Sequence, residues 1–259
     1  ALTGADSFDV TFSEAPIDAA SGKRLGIVAN QGPTDASASI ETLNLESTGS
    51  SANNVLGVIS VGSALKTLNI TGSVNVNVHQ DIGKAQSSDL GNVSGNSEIN
   101  KIDASTLNAK LFGGVGGAFA YTSSVKGEVD VLGAIGNNVL FLDTGNVTGS
   151  TTRFDVLTQG GNDAVTTSRD NDTITTAGGN DTISAAAGND LIDAGNGNNL
   201  VAAGEDNNTV TTLENNDTIS AGSGNDFIKS GLGNDLILGG HGSDTILSAG
   251  GNNLIAADT

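Results

Sequence analysis

Cysteine, methionine and tryptophan are absent from the 259-residue chain, proline occurs twice, and aromatic residues make up 3%. Without cysteine there are no disulfides, no thiol nucleophile and no thiolate metal site. No segment approaches the roughly 20 consecutive apolar residues of a membrane helix, so membrane insertion is not expected. Basic residues are scarce: 10 Lys and Arg stand against 29 Asp and Glu, a formal net charge of -19. That balance argues against a nucleic-acid partner, which requires clustered Lys and Arg. One tyrosine and seven phenylalanines cannot fill a large mixed core. The start at Ala1 and the lack of methionine give the expectation of a fragment or a processed product. Leu2 to Phe12 alternates polar and apolar residues and does not form the apolar block of a signal peptide.

Glycine is abundant, at 37 residues, and is accompanied by Ser, Thr and Asn, which favour turns and short strands over helix interiors. Ala, Val, Ile and Leu are frequent enough that the charge does not imply disorder. The combination predicts a thin, extended, all-β fold.

From Gly160 onward an acid or amide recurs every nine residues: Asp163, Asp172, Asp181, Asp190, Asn199, Asn208, Asp217, Asp226, Asp235, Asp244 and Asn253. Two residues after each stands a β-branched aliphatic, from Val165 and Ile174 to Ile246 and Ile255. Two residues before each stands glycine, except at Asp170, Asp206 and Asn215. Asp and Asn are the non-glycine residues that best tolerate positive φ, so the exceptions preserve a backbone rule. The stretch Gly239-Gly240-His241-Gly242-Ser243-Asp244-Thr245-Ile246-Leu247 fits G-G-x-G-x-D-x-U-x at every specified position, U being a bulky apolar residue. We number the nine positions in that order, which places the acid at six and the aliphatic at eight.

On these residues the chain from about Gly160 to Ala257 resembles the RTX calcium-binding β-roll family. The spacing independently predicts three-residue strands x-U-x, the middle side chain pointing inward, joined by six-residue turns. Two nonapeptides close an 18-residue coil, and coils stack about 4.8 Å apart. One ladder of inward aliphatics is Ile174, Ile192, Val210, Ile228 and Ile246; the other is Val165, Ile183, Val201, Ile219, Ile237 and Ile255. One aliphatic per nine residues is a thin core against the entropy of ordering the chain. Stacking also brings acids 18 residues apart into adjacent turns, where they repel unless a cation lies between them. Calcium, with six to eight oxygen ligands, suits carboxylates plus turn carbonyls better than magnesium does.

The resemblance implies several Ca2+ ions. Each would be held by carbonyls of positions two and four and the acid of one turn, with carbonyls of positions one and three and the acid of the next coil. Carried over, the Asp163–Asp181 site uses Gln159, Gly161, Asp163, Thr176, Gly178 and Asp181. The Asp172–Asp190 site uses Ser168, Asp170, Asp172, Ala185, Ala187 and Asp190. The Asp217–Asp235 site uses Leu213, Asn215, Asp217, Ser230, Leu232 and Asp235. The Asp226–Asp244 site uses Gly222, Gly224, Asp226, Gly239, His241 and Asp244. Asn199, Asn208 and Asn253 remove a charge, leaving two stronger calcium patches around a weaker middle. A metal-free solenoid whose Asp and Asn merely cap turns does not require acid at eight of eleven equivalent positions.

Residues 1–158 lack this register, and the expected division is 1–158 followed by a β-roll over 159–259. Short apolar segments recur at Glu41 to Leu45, Val55 to Val61, Leu65 to Ile70 and Val74 to Val78. Others lie at Ile99 to Ile102, Leu111, Val129 to Leu132 and Val139 to Leu142, with Gly, Ser, Asn and Thr clusters between. Glu41-Thr42-Leu43-Asn44-Leu45 is echoed 25 residues later by Lys66-Thr67-Leu68-Asn69-Ile70. That spacing suits an irregular parallel β-solenoid; a sandwich is the alternative. Gly4-Ala5-Asp6-Ser7-Phe8 fits the tail of one further degenerate repeat. The T-L-N-L/I echo, Ile102-Asp103-Ala104-Ser105 and the composition resemble secreted RTX-type S-layer proteins of Gram-negative bacteria, of the Caulobacter and Campylobacter kind.

Catalytic chemistry is not expected. His79 and His241 are the two histidines, one at a strand end and one at a variable turn position, where solvent exposure explains them. There is no G-x-S-x-G elbow, no H-E-x-x-H, and Gly113-Gly114 and Gly116-Gly117 lack the Lys-Ser/Thr of a phosphate loop. The expectation is a structural, calcium-dependent, secreted cell-surface protein that self-associates into a two-dimensional lattice. A cell-surface polysaccharide is a further expected partner, through regions outside this stretch. The rivals are an RTX adhesin with a recognition site in its N-terminal part, and an accessory module of a secreted enzyme. The export signal of such proteins is normally at the far C-terminus, whereas Ala256-Ala257-Asp258-Thr259 ends on a repeat.

Overall fold

A computed structural model of the chain describes residues 6–13, 25–29, 40–48, 53–61, 67–72, 75–78, 101–103, 111–113, 119–122, 127–133, 136–143 and 152–257. Two compact units emerge, Ala1–Ile135 with Val139–Thr152, and Gly136–Asn138 with Arg153–Thr259.

The strands of the first unit are β1 (Asp6–Ser13), β2 (Leu25–Ala29), β3 (Ile40–Thr48), β4 (Asn53–Val61), β5 (Thr67–Gly72) and β6 (Asn75–Val78). They continue with β7 (Lys101–Asp103), β8 (Leu111–Gly113), β9 (Phe119–Thr122), β10 (Gly127–Leu132) and β11 (Val139–Asp143). Hydrogen bonding joins them in the orders β1-β3-β5-β7-β10, β2-β4-β6-β8 and β9-β11. The described pairings are all parallel. Parallel neighbours require a crossover, and from β1 to β8 the chain makes it by alternating between two ladders; between β7 and β10 it lays two strands, β8 and β9, in different ladders. This is a parallel solenoid, and the sandwich alternative, which needs antiparallel hairpins, falls.

The coils are unequal: Thr42 pairs with Thr67, Thr67 with Lys101, and Lys101 with Asp130. The sequence echo is one of these rungs. Leu43, Asn44 and Leu45 lie beside Leu68, Asn69 and Ile70. Asn69 Nδ2 donates to Asn44 Oδ1 at 2.7 Å, and Leu68 is fully buried. Of the expected degenerate repeat tail, Asp6 to Phe8 belong to strand β1, while Gly4 and Ala5 lie outside the described residues.

In the second unit one sheet contains β12 (Thr152–Gly160), β14 (Thr173–Gly178), β16 (Leu191–Asp193), β18 (Thr209–Thr211), β20 (Phe227–Ser230) and β22 (Thr245–Ser248). The other contains β13 (Ala164–Thr166), β15 (Thr182–Ser184), β17 (Leu200–Glu205), β19 (Thr218–Ser223), β21 (Leu236–His241) and β23 (Leu254–Ala256). Each strand pairs in parallel with the strand 18 residues on, so Ile174 lies beside Ile192 and Val201 beside Ile219. The two aliphatic ladders expected from the sequence are therefore present in register, and residues 155–256 form a parallel β-roll of about 6 turns.

The interior differs from expectation in one respect. Not only position eight but also positions six and one point inward, because side chains alternate along an extended chain. Position one carries only Thr, Ala, Ser or Gly, and Thr167, Thr176, Ala185, Ala194, Ala203, Thr212, Ala221 and Ser230 are buried there. Small residues let the two sheets close over each turn. Positions seven and nine face outward, leaving Leu191 and Leu200 half exposed. This alternation makes neighbouring substitutions unequal. In the calcium-loaded chain Ile192→Ala should lower unfolding free energy by about 2–5 kcal/mol. Leu191→Ala, one residue away, should stay within about 0.5 kcal/mol; denaturant melts of both variants check the contrast.

Candidate metal centre

The turns are built by positive φ at position four. Gly179 has φ 140 and Gly242 φ 128, and a Cβ at either would collide with the position-four carbonyl oxygen of the coil before it, Gly161 or Gly224. Asp170, Asp206 and Asn215 take the same backbone state, with φ of 85, 71 and 84, as their residue types predicted. Ala186 at position two also has positive φ, 73, which its sequence did not announce. Position-four carbonyls therefore project along the stack into the gap between coils.

Into that gap the position-six acids also reach. The Oδ1 atom of each accepts a backbone NH one coil earlier. Asp181 accepts from Asp163 at 2.8 Å, Asp190 from Asp172 at 2.8 Å, Asp235 from Asp217 at 3.0 Å and Asp244 from Asp226 at 3.0 Å. Asp163, Asp172, Asp217 and Asp226 accept likewise from Asn138, Phe154, Asn199 and Asn208. Each of the four predicted acid pairs is thus brought together. The second oxygen of every one of these eight carboxylates is buried and has no hydrogen-bond partner. Seven of the eight side chains are no more than 3% exposed.

The remaining predicted ligands are main-chain oxygens. Ser168 and Leu213, at position two, accept the NH groups of Ala187 and Leu232 at 3.5 and 2.7 Å. Gly178 and His241, at position three, accept from Gly161 and Gly224 at 3.0 and 2.8 Å, and Ser230 accepts from Ala249 at 3.2 Å. A carbonyl has two lone pairs, so these bonds leave each oxygen one further site. Thr176 and Ala185 are buried at position one, and a Cβ on Gly239 would stand 2.6 Å from Asp244 Oδ2. Gln159 is half buried, while the Leu232 and His241 side chains face outward. Among the described residues no group of three or more His, Cys, Asp or Glu side chains could hold a metal. Any ion between the coils would rest on two carboxylates and the backbone.

Two features escaped the sequence reading. Position five is Asn at ten of eleven repeats, and these exposed side chains form two ladders. Asn162 Oδ1 accepts the Asn180 NH, Asn180 that of Asn198 and Asn198 that of Asn216; on the other edge Asn171, Asn189 and Asn207 serve Asn189, Asn207 and Asn225. These bonds point opposite to the position-six bonds, so consecutive residues tie each turn to both neighbours. The second feature is a turn at Gly136-Asn137-Asn138, where Asn137 Oδ1 accepts the Asn162 NH and the Asn138 NH reaches Asp163 Oδ1. It precedes Asp163 by 25 residues, which hid it from a search at nine.

Residues 158–192, 193–228 and 220–255 match the family model of the RTX calcium-binding nonapeptide repeat. The second unit carries a calcium-binding RTX repeat region. No curated protein and no solved structure matches the chain. A calcium-binding repeat accounts for the orphaned oxygens: a hard divalent cation offers their lone pairs the positive charge they lack. RTX repeats are typical of secreted extracellular proteins.

Without the cation, burial is the main influence on these acids. It pushes Asp172 up to about 7 and Asp190 up to about 8, opposed by the backbone NH that each accepts. Asp163, Asp181, Asp217 and Asp226 are raised by the same desolvation. A raised carboxyl means that the folded, metal-free roll binds more protons than the unfolded chain, so its stability falls as pH rises from about 4 to about 8. In chelator, sheet content should therefore be greatest near pH 4 and decline toward pH 8, as circular dichroism would show. Sheet content in chelator that does not change with pH contradicts the burial of these acids.

Proposed function

We propose that the chain is a structural segment of a secreted cell-surface protein, an S-layer lattice subunit, whose folding and assembly are gated by extracellular calcium. The observation that carries the calcium gate is the row of eight buried carboxylate oxygens without a partner. A buried unsatisfied polar atom costs on the order of 1–3 kcal/mol, more when charged. Repeated along the stack, that cost opposes the metal-free roll. Calcium supplies the missing positive charge and, binding only the folded state, stabilises it by mass action. Extracellular modules bind calcium at about 10⁻⁴–10⁻³ M, which keeps such a chain open where calcium is submicromolar and closes it outside.

The surface supports self-association. At a net charge of -19 copies repel until cations neutralise them. The outer faces then offer apolar contacts, Leu191, Phe227 and Leu247 on one sheet and Leu200, Leu238 and Leu254 on the other, all exposed. A structural role also suits a chain whose sequence offers neither a nucleophile elbow nor a zinc-protease helix. The S-layer assignment draws on the T-L-N echo and the composition.

The test follows circular dichroism and light scattering of the full chain during a calcium titration, with electron microscopy of the product. Little sheet over 153–257 in chelator, a cooperative gain near millimolar calcium and ordered two-dimensional sheets are the expected results. A roll equally folded in chelator overturns the gate. A folded chain that stays monomeric in millimolar calcium overturns the lattice and leaves an adhesin spacer.

A further inference from the structure

The acid-to-amide replacements at position six are regularly placed. On one edge of the roll Asn199 separates the Asp163–Asp181 pair from the Asp217–Asp235 pair, and on the other Asn208 separates the Asp172–Asp190 pair from the Asp226–Asp244 pair. Both asparagines keep the inter-coil bond of the acids: Asn199 Oδ1 accepts the Asp181 NH and Asn208 Oδ1 the Asp190 NH, each at 3.0 Å.

The other arm of the side chain behaves differently. Each acid leaves a buried oxygen without a partner. Asn199 Nδ2 instead donates to its own turn, to Gly197 O at 3.1 Å and Gly195 O at 3.4 Å. Asn208 Nδ2 donates to Asp206 O at 3.1 Å and Glu205 O at 3.4 Å. Asn138 repeats the arrangement, its Nδ2 reaching Gly136 O at 2.8 Å. In these three turns the amide serves the carbonyl two residues earlier, which is position four at Asn199 and Asn208; Asn253 Nδ2, in the last coil, instead donates to Ser248 Oγ. The carbonyl is an acceptor facing a gap, and an amide NH2 satisfies it with a proton as a cation would with charge.

We infer that Asn199 and Asn208 are built-in plugs: their amide nitrogens take the cation's place in their own turns. The RTX region therefore holds calcium at its four acid pairs and is metal-free across its waist. The inference rests on the calcium reading above and deepens it. The waist turns, closed by neutral hydrogen bonds, carry no orphaned carboxylate, and calcium acts on two halves separated by a segment it does not touch.

Two double variants of the full chain test this, by calorimetric calcium titration and circular dichroism. N199D/N208D removes both plugs and restores acids; it is expected to bind at least two more ions per chain and to need a higher calcium concentration to fold. D217N/D235N converts an acid pair to amides; it is expected to lose at least one ion and to show more sheet in chelator than the original chain. Unchanged stoichiometry in N199D/N208D overturns the plugs while leaving the calcium reading intact. Should N199D/N208D fail to fold even in saturating calcium, D217N/D235N decides, and sheet content in chelator at or below that of the original chain overturns the inference. An original chain that binds no calcium overturns both readings together.

Discussion

Eight carboxylate oxygens buried without a hydrogen-bond partner are the constraint on which the roll depends. A globular domain removes such atoms to its surface or pairs them with a cationic side chain. The RTX region does neither, because position six is an inward position of an extended chain and the second unit has few Lys or Arg to offer. The acids are fixed by their own backbone: each Oδ1 holds an NH of the preceding coil, which forces Oδ2 into the gap. The fold thus prepares anionic sites before any ion arrives, and the ion completes the fold.

The other interactions are arranged around that gap. Aliphatics at position eight and small residues at position one fill the space between the sheets. Position-four residues at positive φ bring carbonyls toward the next coil, so closely that a Cβ on Gly179 or Gly242 would collide with one. Asparagine ladders at position five bind the same turns from outside and need no metal. The roll therefore joins a permanent neutral scaffold to a conditional charged one, and calcium controls only the second. In the first unit an asparagine also bridges neighbouring coils without a metal, Asn69 Nδ2 donating to Asn44 Oδ1 from side chain to side chain.

Much of this was legible because the nine-residue period repeats without insertion from Asp163 to Asn253, and a period fixes register. The ladders, the 18-residue coil, the positive φ at Asp170, Asp206 and Asn215 and the acid pairs all follow from it. The rung joining Leu43 to Leu68 was legible as a single echo. Less visible were features that depend on direction more than spacing. That position one points inward required knowing how far the strand runs, and the turn at Gly136–Asn138 stands at a distance of 25 that belongs to no repeat. The role of position five was hidden because asparagine in a glycine-rich turn reads as an ordinary turn residue. Asn199 and Asn208 read as weakened ligands; the structure gives their amides a bond of their own.

The most direct measurement is a crystal structure of the calcium-loaded chain with anomalous scattering to locate the ions. Peaks between the paired turns of Asp163 and Asp181, Asp172 and Asp190, Asp217 and Asp235, and Asp226 and Asp244 are predicted. Each should lie about 2.3–2.6 Å from a carboxylate oxygen that the metal-free turn leaves without a partner. Ordered roll turns with those oxygens still unpartnered, and ions confined to surface acids such as Glu205 and Glu214, would contradict the account.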